Sequence, residues 1–326
     1  MSEKSINVVF LFDAKYLGPA LVSAASFFEV PGMTDFPVTL VYIAIDTATD
    51  SKAAQVLQIF QKSIQSNYAQ VDLRLIVLQG NLFTDYVQRF HFSNAILYKA
   101  ALPKVFPTYE HILLFDCGMI FGLQVEDFIQ GLRQGIKNCE LSAVGAFCDS
   151  SHISGTLCAE LQAYPHNALY PSAAILYFDV KCYNQSLIYE RYLTAYETYR
   201  NSLQYAEQDL LCLVLTEGEL NAFPEKEVIF HIDMASTGSW AELGAYEEIY
   251  ANRNCLYLKH IGSFKPWKKW VLHPAKSIYL REQHKLGRLI GRETLAALRD
   301  NELFPVNMGF LAQELMRLEN YYETLY

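Results

Sequence analysis

"HILLFDCGMIF", residues 111–121, runs four apolar residues into Asp116, and the apolar pattern resumes after Gly118. A short unbroken apolar run closed by an acid reads as a buried strand with a carboxylate at its end. That carboxylate either caps the following loop or faces a ligand, since ligands of open α/β sheets sit at the carboxyl ends of strands. "INVVFLFD" (6–13) repeats the arrangement and ends on Asp13. Two acids at neighbouring strand ends can share one ligand; spacing alone leaves both readings open.

After Asp13, "GPALVSAASFFEV" (18–30) has helical spacing, with Pro19 suited to a first turn. "PVTLVYIAI" (37–45) and "VDLRLIVLQ" (71–79) read as strands. The helix 50–67 between them puts Ala53, Val56, Leu57, Ile59, Phe60 and Ile64 on one side. Helices are expected at 93–107, with Pro103 near its end, and at 125–136, 185–200 and 206–218. Strands are expected at 141–147 and 172–180, then at "VIFHIDM" (228–234) and "CLYLKHIG" (255–262). The alternation predicts an α/β fold with a mostly parallel sheet flanked by helices. After residue 275 the chain is charged, amphipathic and helical, a C-terminal appendage.

The 326 residues carry a net charge of −9, which argues against a general nucleic-acid binder. Seven cysteines without a CxxC pair read as buried thiols in a reducing compartment. The first apolar run is broken by Asp13 and resembles no secretory leader, and no window approaches the ~18 apolar residues of a membrane span. A cytoplasmic location is expected. "KPWKKWVLHPAK" (265–276) sets Lys265, Lys268, Lys269 and Lys276 among Trp267, Trp270 and His273. It leaves peripheral contact with the inner face of a membrane open, against solvated lysines and packed tryptophans. "FLAQELMRLENYYETLY" (310–326) suits packing on the body or a homo-oligomer contact. No GxGxxG follows the first strand, so the NAD-type dinucleotide reading fails.

Five stretches, in order, resemble glycosyltransferase family 8, the retaining group that includes glycogenin, galactinol synthase and bacterial lipopolysaccharide galactosyl- and glucosyltransferases. They are "VVFLFDAKYLGPALVSAASF" (8–27), "FSNAILYKAALPKVFPTYEHILLFDCGMIF" (92–121), "YPSAAILYFDVKCYN" (170–184), "AEQDLLCLV" (206–214) and "HIGSFKPWKKW" (260–270). The resemblance implies a GT-A fold over 1–275, with a Rossmann-like nucleotide half at about 1–120 and an acceptor half at about 121–275, followed by the helical segment 276–326. It implies transfer of a hexose from a UDP-sugar, with retention, to a carbohydrate, glycolipid or protein acceptor. The alternative is an inactive member that binds UDP or a UDP-sugar.

Carried over by position, the resemblance implies that Asp13 accepts from the uracil and that Tyr16 stacks on it. Lys99 stands where the family has an arginine near the donor. Ser172 and Ala174 stand where it has Asn and Gly. Gln208 matches the glutamine beside the anomeric carbon, and Glu207 stands for an aspartate that contacts the sugar. Gly262 and Lys265 match the late Gly and Lys-Pro-Trp, with Lys265 on the diphosphate. In such a reaction the acceptor attacks from the leaving group's face.

The family's Mn²⁺ or Mg²⁺ site takes both carboxylates of an Asp-x-Asp and a histidine three residues before the late Gly. Here Asp116 has Gly118 for its partner. His260 lies two residues before Gly262, and Lys259 takes the third place. In an extended chain a slip of one residue turns the side chain to the other face. Either Lys259 and Lys265 replace the metal as counter-charges, or His260 and Asp116 still hold one.

Overall fold

The computed structural model describes residues 5–300, except 46, 69, 81, 84–92, 150–168, 204, 225–228, 234–239, 263, 269–270 and 272. Strand β1 (Ile6–Phe12), apolar except at Asn7, is buried at every position, as a near-continuous apolar run covered on both faces must be. It lies between β2 (Val38–Ala44) and β4 (His111–Phe115), parallel to both. β3 (Leu73–Gln79) pairs parallel with β2. Beyond β4 the direction changes. β7 (Tyr170–Asp179) runs antiparallel to β4 and to β6 (Val144–Asp149), and β8 (Leu220–Phe223) is parallel to β6. The order β3-β2-β1-β4-β7-β6-β8 makes the sheet mixed but mostly parallel, as expected.

Successive β1 residues feed opposite cores. Val8, Phe10 and Phe12 pack with α1 (Leu17–Phe28), α2 (Thr47–Asn67) and α4 (Gln124–Lys137). Val9 and Leu11 face the layer built from α5 (Val180–Gln185), α6 (Ile188–Tyr199) and α7 (Glu207–Val214). A second sheet, which the apolar pattern alone does not announce, orders β5 (Met119–Phe121), β10 (Tyr257–Ile261) and β9 (Ile229–Asp233).

Three expected helices differ in detail. Residues 93–107 form a 3-10 helix at Asn94–Ala101 and then the short α3 (Leu102–Val105). Pro103 has no N–H for the Lys99 carbonyl, which takes that of Leu102 in the tighter pattern. The helix expected at 185–200 begins only at Ile188 as α6, after Leu187, whose φ is +53°, and α5 before it is an addition to the expected elements. The helix expected at 206–218 stops at Val214, where Leu215 turns extended toward β8. α8 (Trp240–Asn252) is an addition to the expected elements.

After residue 275 the chain forms α9 (Lys276–Ile290) and α10 (Arg292–Asp300). Tyr279, Leu286 and Ile290 of α9 join the core that holds α1. Lys269, Trp270 and the stretch 310–326 lie outside the described residues. Among the described residues, no helix is long and apolar enough to cross a membrane.

Candidate active site

Asp13 closes β1 and caps the turn that leads into α1. Its Oδ1 accepts the N–H groups of Lys15 (3.0 Å) and Tyr16 (3.3 Å), while Oδ2 takes the Ser93 hydroxyl. Asp13 is thus both a cap and a strand-end acid at the cavity wall. Burial raises its pKa, and the Ser93 hydrogen bond opposes the rise.

Asp116 continues the β4–β7 ladder, its N–H donating to the Ala174 carbonyl at 2.8 Å. Two serines of α1 hold the chain beyond it. Ser23 Oγ accepts from the N–H groups of Gly118 (2.8 Å) and Met119 (2.9 Å), and Ser26 Oγ from that of Phe121 (3.1 Å). The Asp116 carboxylate meets two ammonium groups: Lys259 bonds Oδ2, and Lys99 lies 3.4 Å from Oδ1. Burial works against this charge, but Lys259, Lys99 and then Lys265 hold the Asp116 pKa well below the ordinary carboxylate range.

Lys99 is buried and also bonds Glu207 Oε1 (2.9 Å) and the Ala173 carbonyl (3.0 Å). Burial alone would lower its pKa; Asp116 and Glu207 outweigh that and raise it. Glu207 is raised by burial, with Lys99 opposing. Glu207 begins α7 directly after Ala206, a buried residue at φ +45° and ψ −106°. Such strained backbone collects at functional sites, where surrounding structure holds it. Asp209 steadies the turn, accepting from Tyr205 N–H (2.7 Å) and the Tyr170 hydroxyl (2.6 Å). Gln208 accepts the Ala173 N–H at 3.3 Å.

On β10, successive side chains point to opposite faces. Lys259 faces Asp116, and His260 is fully buried with Nε2 3.2 Å from the Ala275 carbonyl. Burial drops the His260 pKa to about 3, so the ring is neutral. Gly262, at φ +74°, turns the chain toward Lys265. Lys265 Nζ donates to the His260 carbonyl (3.0 Å) and lies 5.7 Å from the centre of the Trp267 ring. Burial, then Lys259, lowers its pKa to about 7, against a pull from Asp116.

These groups line one cavity of about 310 Å³. Asp13, Tyr16, Lys99, Asp116 and Ser172 meet Glu207, Gln208, Lys259, Gly262 and Lys265 there, while His260 stays outside its wall. Ala174 lines it as well. The sequence reading missed Ser93, Tyr205 and His231, which also line it. For His231 the signal was its place in a late strand, opposite Lys259 in the β9–β10 register. Burial, with Lys259 and Lys265, lowers its pKa to about 4.

The described residues do not fit a divalent metal. Hard cations require several oxygen ligands. Asp116 is covered by two ammonium groups. Position 118 has no side chain, and a Cβ there would lie 2.9 Å from Trp267 Cη2. The structure does not bring His260 to Asp116; its ring faces Ala275 and Tyr279. Among the described residues, no group of three or more His, Cys, Asp or Glu side chains is placed to hold a metal.

Residues 7–271 match Glycosyl transferase family 8. The chain belongs to that family. It is a glycosyltransferase with a GT-A fold. Solved structures of the same fold include an active-site glutamine-to-glutamate mutant of LgtC, at 15% identity and a TM-score of 0.58, covering 86% of this chain and 95% of that one. The galactosyltransferase LgtC in complex with donor and acceptor sugar analogs is similar at 16% identity and a TM-score of 0.57, covering 88% and 95%. GlyE of Streptococcus pneumoniae TIGR4, in its apo form, is similar at 13% identity and a TM-score of 0.52, covering 90% and 64%. No curated protein matches the family member in sequence.

Proposed function

We propose that this glycosyltransferase moves a hexose from a UDP-sugar to a hydroxyl of a carbohydrate, glycolipid or protein acceptor, with retention of anomeric configuration. The observation that carries the reading is the convergence of Asp13, Tyr16, Asp116, Lys265 and Gln208 on one cavity. In this reading Asp13 and Tyr16 receive the uracil, at the wall formed by the end of β1. Lys265 meets the diphosphate, and Glu207 and Gln208 at the start of α7 meet the sugar. The nucleotide half is about 1–120 and the acceptor half about 121–275. LgtC, whose structure with donor and acceptor analogs shares this fold, lends support, as does its active-site glutamine mutant.

The bond between the anomeric carbon and the diphosphate oxygen breaks, and the acceptor oxygen bonds the same carbon on the same face. The acceptor proton passes to an oxygen of the departing diphosphate. Negative charge grows on that diphosphate as the bond lengthens, so ammonium groups fixed beside it stabilise the transition state more than the ground state. In this reading the Gln208 amide oxygen, which accepts the Ala173 N–H in the ligand-free protein, has a second lone pair for the positive charge developing at the anomeric carbon. Incubation with UDP-glucose and UDP-galactose, followed by proton NMR of the anomeric signals, tests the reading. An α-linked product from an α-linked donor is expected; a β-linked product contradicts retention.

A further inference from the structure

We infer that Lys259, with Lys265 beside it, holds the donor's diphosphate in place of a divalent metal, so that donor binding requires no metal. The inference rests on the nucleotide-sugar reading above. Three observations carry it.

The first is the cavity's charge. The ammonium groups of Lys99, Lys259 and Lys265 face it with the carboxylates of Asp116 and Glu207. The other acid of the wall, Asp13, is engaged by Ser93 and two backbone N–H groups. Lys99 is committed to Glu207 and a carbonyl. Among the described residues Lys265 has no carboxylate within ion-pair distance; its hydrogen bond goes to the His260 carbonyl. A buried ammonium without a counter-ion is held at an energetic cost, and an arriving diphosphate removes that cost.

The second is the direction of Lys259. It lies on β10 between β5 and β9, opposite Met119 and His231, so its backbone is fixed on both sides. Its side chain and that of Asp116 keep 12% and 28% of their surface exposed, so the pair remains open to the cavity. A compact ammonium on a flexible stem can bond a carboxylate and a phosphate oxygen together.

The third is Trp267. Its indole packs against Gly118, on Tyr279 at 5.3 Å and beside Tyr16 at 5.9 Å. The place of a second carboxylate is filled by a ring that belongs to the same segment as Lys265.

Isothermal titration of the full chain with UDP, GDP and inorganic pyrophosphate in EDTA, and with UDP again in Mn²⁺, tests the inference. UDP and pyrophosphate are expected to bind in EDTA, with Mn²⁺ changing the UDP affinity by less than about threefold. Lys259→Gln weakens UDP binding by about tenfold or more, the loss of one charge-assisted hydrogen bond, and Lys259→Arg retains most of the affinity. Circular dichroism of each variant confirms its fold, and the EDTA comparison on the unmodified protein stands without them. UDP binding that appears only with Mn²⁺ overturns the inference and leaves the nucleotide reading intact. Pyrophosphate binding in EDTA with no preference for UDP over GDP supports the lysine site and contradicts the uridine reading. Absence of diphosphate binding in both media overturns the inference.

Discussion

Trp267 occupies the space into which any side chain at position 118 must grow: a Cβ there would lie 2.9 Å from Cη2 and 3.0 Å from Cζ3 of the indole. Gly118 also sits at φ +84°, and its N–H is held by Ser23 at 2.8 Å, so the backbone cannot swing aside freely. Gly118→Asp therefore lowers stability by about 2–4 kcal/mol, from overpacking and the left-handed backbone together. It does not create Mn²⁺-dependent UDP binding. Urea unfolding and titration check both points; a variant as stable as the parent that needs Mn²⁺ for UDP contradicts this geometry.

Lys99 ties Glu207, at 2.9 Å, to Asp116, at 3.4 Å. Lys99→Met leaves Glu207 buried without its cation and costs about 3–5 kcal/mol. Adding Glu207→Gln recovers part of that loss. A double-mutant cycle by urea unfolding is expected to give a coupling energy of more than about 1 kcal/mol; additive losses contradict the pairing.

Lys265 makes the ligand-free protein less stable. Its folded pKa, about 7, lies below the unfolded value of 10.5. Between those values the unfolded chain binds more protons, so stability rises with pH across the window, and the full penalty applies below it. The charged groups acting on it are Lys259, Asp116 and Lys268. Lys265→Met is expected to stabilise the free protein by roughly 1–4 kcal/mol at neutral pH and to flatten its pH dependence, while weakening UDP. The same linkage makes UDP affinity fall as pH rises above about 7, because the complex must take up the proton the free lysine has lost. Calorimetry in buffers of different ionisation enthalpy measures that uptake; zero uptake at pH 8 contradicts it.

Asp13→Asn separates capping from base recognition. An Asn oxygen still accepts the Lys15 and Tyr16 N–H groups, so the cap is kept to within about 1 kcal/mol. Its amide cannot accept from a uracil N–H at the position of the second oxygen. Titration is expected to show a lost preference for UDP over GDP with pyrophosphate binding unchanged. An unchanged preference removes Asp13 from base recognition.

The large sheet was legible because β1, β2 and β4 are near-continuous apolar runs of five to seven residues, a length and pattern that suit a strand covered on both faces. The residues that line the cavity were legible where they closed a strand or opened a helix, as Asp13, Asp116 and Glu207 do. Local pattern fails where a neighbour decides. Three-residue β5 is held by Ser23 and Ser26 of α1, nearly a hundred residues earlier in the chain. The fill beside Gly118 comes from Trp267, whose motif told of its segment but not of its direction. The opposite facing of Lys259 and His260 follows from strand alternation, and the sequence supplied both candidates without saying which one faced Asp116.

The most direct test is the rate of UDP release from UDP-glucose and UDP-galactose by the 326-residue chain, with candidate acceptors, in EDTA and in Mn²⁺. Turnover of one of these donors in EDTA is expected, within about threefold of the rate in Mn²⁺, with at least about tenfold slower turnover by Lys259→Gln. Turnover that vanishes in EDTA and returns with Mn²⁺, undiminished in Lys259→Gln, contradicts it.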